Sequence, residues 1–165
     1  MGKELTMKFN APKFIQAAVS DDKTRYFMCH PYYDAENKRL VATDGRRLHI
    51  WQDPPFKASQ STYVHISKDL ILPVKMEYQF PNYQRVIPEG KELGEPVEVP
   101  AGDEAMCIPR FFVTHGVRIN LKYLAPLFGK GIGSWTVKFN RDNPKDKACT
   151  FVSGPYTVVI VPFQA

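Results

Sequence analysis

Apolar and polar residues alternate along much of this chain at the two-residue period of half-buried strands. The clearest stretch is Leu40 to Trp51, with Leu40 and Ala42 on one arm, Leu48 and Ile50 on the other, and Asp44-Gly45 between them. Both central residues of a two-residue type I′ turn need positive φ, which Asp-Gly adopts at low steric cost, so the stretch predicts a hairpin. The same reading predicts strands over residues 5–10, 24–33, 62–66, 97–99, 111–119 and 134–140. A last hairpin, residues 148–152 and 156–163, closes around Ser153-Gly154-Pro155.

A helical period occurs twice. Phe14, Ile15, Ala18 and Val19 form one stripe, after a candidate N-cap at Asn10 and a proline at position 12, and predict a helix over about 11–20. Its other face carries Lys13, Gln16, Ala17 and Ser20. Leu121, Leu124, Ala125 and Phe128 form the second stripe, between Asn120 as N-cap and Gly129 as stop, with Pro126 expected to kink or shorten the helix. The middle of the chain is less regular. Asp53-Pro54-Pro55 ends a strand, Ser67 to Leu70 suggests one helical turn limited by Pro73, and Phe80 to Pro88 reads as extended. Residues 89–103 are rich in Pro, Gly and Glu and read as a loop around the short strand at 97–99.

Strand, helix, then several strands thus recurs, in residues 5–52 and 111–163, as repetition of form and not of letters. Two short helices on one face of a largely antiparallel sheet make an α+β fold, expected as one domain of two halves joined by the irregular region at about 53–110.

Length and composition keep this picture and narrow the function. The 165 residues suffice to bury a core without disulfides. Three cysteines, Cys29, Cys107 and Cys149, lack the spacing of a disulfide framework or a zinc knuckle and read as reduced thiols. The formal net charge of +5 is compatible with nucleic acid without requiring it. Neither a signal-type apolar core near the N-terminus nor a membrane-length run is present, so a cytoplasmic protein with no membrane partner is expected.

Little in the chain suggests catalysis. His30, His49, His65 and His115 are scattered, and Cys29 and His30, as neighbours on a strand, would point to opposite faces. Asp21-Asp22 and Asp103-Glu104 read as solvated turn charges. Gly129-Lys-Gly-Ile-Gly133 follows a helix and precedes a strand, the reverse of a phosphate-binding loop. No catalytic residue, metal site or cofactor is expected, and the protein is read as not an enzyme.

Three strings carry a family resemblance. Ala42-Thr-Asp-Gly-Arg-Arg-Leu48, within residues 24–48, resembles the Ala-Thr-Asp-Gly-His-Arg-Leu hairpin of the bacterial sliding clamp, the beta subunit of DNA polymerase III. Phe80-Pro-Asn-Tyr-Gln-Arg-Val-Ile-Pro88 is similar to the segment Phe-Pro-Asp-Tyr-Arg-Arg-Val-Leu-Pro that joins the clamp's middle and last domains. Residues 120–163, ending Tyr156-Thr-Val-Val-Ile-Val-Pro-Phe163, look like the final half-domain. The strings occur in clamp order but leave material for one domain only, so two half-domains are expected to have fused after loss of those between.

In the family these strings converge on a cleft for short linear peptides of polymerases and other replication or repair proteins. The resemblance therefore implies a peptide site at Thr43, Gly45, Arg46, Arg47 and Leu48, at Pro81, Arg85 and Val86, and at Val159, Val161, Pro162 and Phe163. Apolar walls there would receive a buried anchor, and Arg47 or Arg85 would meet peptide carbonyls or acidic groups. Taken singly, Leu48, Val86 and Val161 read more readily as core and Asp44-Gly45 as a mere turn, and only the retained strings together favour the cleft. Arg46 stands where the family has His, and Gln164-Ala165 where it ends in Arg-Leu.

Clamp helices also line a hole around double-stranded DNA, which implies loose phosphate contact by Lys13, Gln16, Lys122, Tyr123 and Lys130, aided by Lys8 and Lys23. A ring from such a short chain would need about six copies, a homo-oligomer. Two functions follow from the resemblance: a minimal clamp that tethers partners to DNA, or a monomeric regulator that kept the cleft, lost the ring and competes for the clamp's partners.

Overall fold

The computed structural model describes residues 8–88, 96–99, 119–140 and 147–161. Asn10 opens the helix α1 (Ala11–Gln16), and its side chain accepts from the Lys13 N–H at 3.0 Å. The helix is shorter than its sequence stripe, yet Phe14, Ile15 and Ala18 are buried as that stripe predicts. Residues 5–7 of the first expected strand lie outside the described residues; Lys8 alone forms a parallel bridge, to Lys130.

Among the described residues nine strands follow: β1 (Tyr32–Asp34), β2 (Arg39–Thr43), β3 (Arg47–Gln52), β4 (Thr62–Ser67), β5 (Leu70–Val74), β6 (Val97–Val99), β7 (Trp135–Lys138), β8 (Cys149–Ser153) and β9 (Tyr156–Ile160). They form one antiparallel sheet in the order β5-β4-β1-β2-β3-β9-β8-β7-β6. The expected α+β arrangement is present. The first five strands and the last four meet at the β3–β9 pair, where Leu48 faces Val159 and His49 faces Val158. The region expected to be irregular supplies strands to both edges, β4 and β5 to the first and β6 to the second.

Period 2 sends alternate residues of the central strands to opposite faces. Leu40, Ala42 and Trp51 join Val158 and Ile160 in the core beneath α1, where Phe14 also stacks on His49 at 4.5 Å. Val41, Leu48, Ile50 and Val159 join Tyr63, Phe80 and Tyr83 in a second core on the other face. Both faces of β2 and β3 are therefore covered, so the two arms of the hairpin, read from sequence as one half-buried surface, serve two cores.

Several local expectations are corrected. Of the strand expected over residues 24–33 only the end forms, as Tyr32 and Tyr33 of β1: Lys23–Met28 is a 3-10 turn, started by Asp22, whose carboxylate accepts from both the amide and the hydroxyl of Thr24. Cys29 caps that turn, so the opposite-faces argument for Cys29 and His30 lapses. Lys68-Asp69 is a two-residue hairpin loop with Lys68 at φ 56°, not a helical turn, and leads into β5. Pro73 fits β5 because it lies opposite Val64, whose N–H goes to Pro31 on the far side. That pair exchanges no hydrogen bonds, and the missing N–H falls on the open edge. The second helix is two 3-10 turns, Leu121–Tyr123 and Ala125–Leu127, split before Pro126. Their buried side chains are Tyr123, Leu124 and Leu127, while Ala125 is exposed. The expected strand at 111–119 falls almost wholly outside the described residues.

Candidate functional site

The turn at Asp44-Gly45 is wider than type I′. The last β2–β3 pair is Thr43 with Leu48, which leaves a four-residue loop. Only Gly45 has positive φ, at 91°. Asp44 instead works through its carboxylate, which accepts from the Arg46 amide at 2.9 Å, the Arg47 amide at 3.1 Å and Arg47 Nε at 3.2 Å. Thr43 completes the loop: its hydroxyl donates to the Arg47 carbonyl at 2.8 Å and accepts from the Gly45 amide at 3.1 Å.

This loop forms one wall of a cleft of about 140 Å³. Leu48 and Val159, adjacent across the β3–β9 seam, contribute from the sheet, and Val161 follows at the end of β9. The opposite wall is Pro81, Asn82, Tyr83 and Val86, and Met28 contributes from the Lys23–Met28 turn. Gly45 lets that turn approach: a Cβ there would stand 3.1 Å from Arg25 Nη1 and 3.7 Å from Met28 Cε.

The far wall is held to the sheet by aromatic packing and one buried polar bond. Phe80 stacks on Tyr32 at 4.7 Å and meets Tyr63 and Tyr83 edge-on. The 3-10 turn Tyr83–Val86 follows, and the Tyr83 hydroxyl donates to Asp34 Oδ2 at 2.5 Å. Burial and this bond push the Tyr83 phenol well above its usual range. Burial alone would raise the Asp34 carboxyl, but the bonds from Tyr83 and Asn37 and the nearby Arg39 outweigh it, so its pKa lies below the usual value. Tyr63, pushed up to about 12 chiefly by burial, donates to the Phe27 carbonyl at 3.0 Å and ties the Met28 turn to β4.

Of the residues expected at a peptide site, Thr43, Gly45, Arg46, Arg47, Leu48, Pro81, Val86, Val159 and Val161 line this one cleft. Arg85 is exposed but does not line it, and Pro162 and Phe163 lie outside the described residues. Sequence reasoning missed Met28, Asn82 and Tyr83. Asn82 and Tyr83 lie within the Phe80–Pro88 segment, whereas the apolar letters around Met28 fit a strand and fold instead as a 3-10 turn. The choice between core and cleft resolves differently by residue. Leu48 and Val159 are buried and belong to both, whereas Val86 and Val161 are about half exposed. With an apolar floor, an exposed Arg46 at the rim and a volume below the ~300–1,000 Å³ of drug-sized ligand sites, the cleft suits an apolar side chain or two of an extended chain.

The Arg47 guanidinium is engaged by groups of its own chain. Nη2 donates to the Ala17 carbonyl after α1, Nε to Asp44, and Cζ lies 4.5 Å from the centroid of the Tyr123 ring, all on the helix face of the sheet. Tyr123, expected to face DNA, is correspondingly buried. Lys13, Gln16, Lys122 and Lys130 are exposed, and the bridge to Lys130 brings the exposed Lys8 beside it. Lys23 instead begins the turn whose other end, Met28, reaches the cleft.

His49 lies beneath α1. Its Nδ1–H donates to the Phe14 carbonyl at 2.7 Å, and burial lowers its pKa to about 3. His30 and His65 approach each other, with ring centroids 6.3 Å apart. Among the described residues no three His, Cys, Asp or Glu side chains are grouped as a metal would need, and no helix is long and apolar enough to cross a membrane.

No family model matches this chain, and no curated protein does. Solved structures do. A Helicobacter pylori beta clamp bound to a DNA ligase peptide superposes with a TM-score of 0.63 at 12% identity, over 98% of this chain and 64% of that one. The DNA polymerase sliding clamp of Bacillus subtilis gives 0.61 at 13% identity, over 100% and 66%. The DNA polymerase III beta chain of Streptococcus pneumoniae gives 0.57 at 12%, over 100% and 66%. The chain has the fold of bacterial sliding clamps and spans a little under two thirds of the length of these matches.

Proposed function

We propose that this protein is a shortened, clamp-like accessory factor of DNA replication or repair, and that its cleft holds short linear peptides of polymerases and related proteins. One observation carries the reading. Segments far apart in sequence, residues 43–48, 81–86 and 159–161, build a single cleft with apolar walls. A chain of the same fold is described as bound to a DNA ligase peptide, which supports the same class of partner. The reading makes the protein a binding module of the cytoplasm rather than an enzyme. It also makes residues 5–52 and 111–163 the cores of two fused half-domains, joined at the β3–β9 pair.

A fluorescent peptide carrying the clamp-binding consensus should bind with affinity on the order of micromolar, a common range for small clefts with few anchors. Absence of binding in titrations to the millimolar range overturns the reading.

DNA encirclement is a further step. Lys8, Lys13, Lys122 and Lys130 give the helix face positive charge suited to loose phosphate contact. The monomeric regulator is favoured by a different observation: the second helix is reduced to two 3-10 turns and Tyr123 is withdrawn into the core, which thins that face. Light scattering separates the two. A particle of about six copies, retained on nicked circular DNA and lost on linearising it, supports the ring; a monomer supports the regulator.

A further inference from the structure

We infer that Arg47 is a positioning residue that shapes the cleft from the opposite side of the sheet. The inference rests on the peptide-binding reading above. Arg47 lines the cleft, but Nε and Nη2 of its fork are bonded elsewhere, and Nη1 is buried without a hydrogen-bond partner among the described residues. Three groups hold the fork: the Asp44 carboxylate, the Ala17 carbonyl where α1 ends, and the face of Tyr123. Each belongs to a different part of the fold, namely the cleft loop, the first helix and the first 3-10 turn of the second half.

The Thr43 hydroxyl bonds the Gly45 amide and the Arg47 carbonyl, and the Val161 N–H donates to the Arg46 carbonyl, but the loop's own tip adds little. Arg46 is exposed, and Gly45 adds no side chain. Its amides at Arg46 and Arg47 depend on Asp44, and Asp44 is itself oriented by the fork. The guanidinium is therefore the far end of a short chain of contacts: Tyr123 ring to Arg47, Arg47 to Asp44, Asp44 to the loop amides, loop to cleft. The ring acts as more than packing, because a cation over an aromatic face gains electrostatic attraction that grows with desolvation, and the Arg47 side chain is only 11% exposed. A lysine could keep the charge but not the planar fork that serves Asp44 and Ala17 together. Lys122, exposed beside Tyr123 with Nζ 5.4 Å from the same ring, places the outer end of this chain on the basic helix face.

The test is peptide affinity combined with hydrogen exchange on the full chain. Tyr123→Leu removes the π face without touching the cleft. It should weaken the consensus peptide about tenfold and speed exchange at the Arg46 and Arg47 amides, with exchange at the β8 amide of Phe151 unchanged. Tyr123→Phe keeps the face and should restore both. Arg47→Lys should match Tyr123→Leu, and the double variant should lose no more than either, since residues acting in one chain are not additive. Val137→Ala, a core truncation away from the cleft, controls for lost stability and should leave affinity and loop exchange as in the wild type. Wild-type exchange rates at Arg46 and Arg47 in Tyr123→Leu overturn the inference, as do additive losses in the double variant. If the wild-type protein binds no peptide, the binding proposal fails by itself, and loop exchange alone still decides the role of Arg47.

Discussion

Leu48 of β3 and Val159 of β9 lie opposite each other where the two halves of the sheet meet, and both line the cleft. The floor of the candidate site is thus also the seam of the fold. A charge at Leu48, which is 1% exposed, tests folding rather than recognition.

Val86→Asp and Val161→Asp test recognition. These residues are 52% and 45% exposed, so the folded state should tolerate both changes within about 0.5 kcal/mol. Each should weaken the consensus peptide at least about tenfold, roughly 1.4 kcal/mol. Titration calorimetry beside urea melts reads both effects. Unchanged affinity in both variants removes the cleft from the proposal, while Leu48→Asp should fail to fold.

Tyr83→Phe isolates the bond to Asp34. The ring stays against Phe80, but the buried carboxylate loses a hydrogen-bond donor. A hydrogen bond to a charged group contributes about 1.5–3 kcal/mol, so urea stability at pH 7 should fall by that order. The Asp34 pKa, held down partly by this bond, should rise towards its ordinary value in an NMR titration of the variant. An unmoved Asp34 resonance would show that Asn37 and Arg39 suffice.

His49 predicts acid sensitivity. In the unfolded chain the imidazole takes a proton near pH 6.5, and in the fold only near 3, because burial disfavours the charged ring. The folded pKa is depressed, so the stability is fully present above pH 6.5 and is lost as pH falls from there towards 3. Each unit in that window costs up to about 1.4 kcal/mol. Urea melts between pH 7.5 and 4.5 should show this slope, and His49→Asn should flatten it. Asp34 titrates below that range and does not confuse the reading.

Gly45→Ala carries two costs of different size. The φ of 91° is left-handed, where an L-residue pays about 1–2 kcal/mol. The added Cβ would also stand 3.1 Å from Arg25 Nη1, but that atom ends a flexible side chain and can move. Stability should fall by about the backbone cost, and peptide affinity severalfold because the loop shifts. A variant as stable and as tight-binding as wild type would show that the loop has an alternative path.

Much of the fold was legible because it is local. Asn10 caps α1, Gly154 turns at φ 54° between β8 and β9, and Trp135 and Val137 of β7 are buried in one core with Phe139 just after it, all as the letters suggest. The misreadings were also local. The apolar letters of residues 24–33 fit one strand, but only Tyr32 and Tyr33 join β1, and the Asp22 carboxylate supplies capping bonds that favour a 3-10 turn before them. Pro73 looked like a stop and is instead an edge residue, because its fitness depends on which way its partner's N–H points. Pro126 did shorten the second helix, and the loss moved burial from Ala125 to Tyr123.

By itself the sequence determined which residues are apolar, where the backbone can turn, and three of the segments that line the cleft, though not the turn that brings Met28. Those properties reside in single residues and near neighbours. Tertiary structure alone decided that β3 pairs with β9, that the central strands are buried on both faces, and that the Arg47 fork reaches Ala17 and the Tyr123 ring. Alternation states that a strand has two faces but not what covers each. That choice is made only when distant segments close together and the total burial on both sides selects one register over the rest.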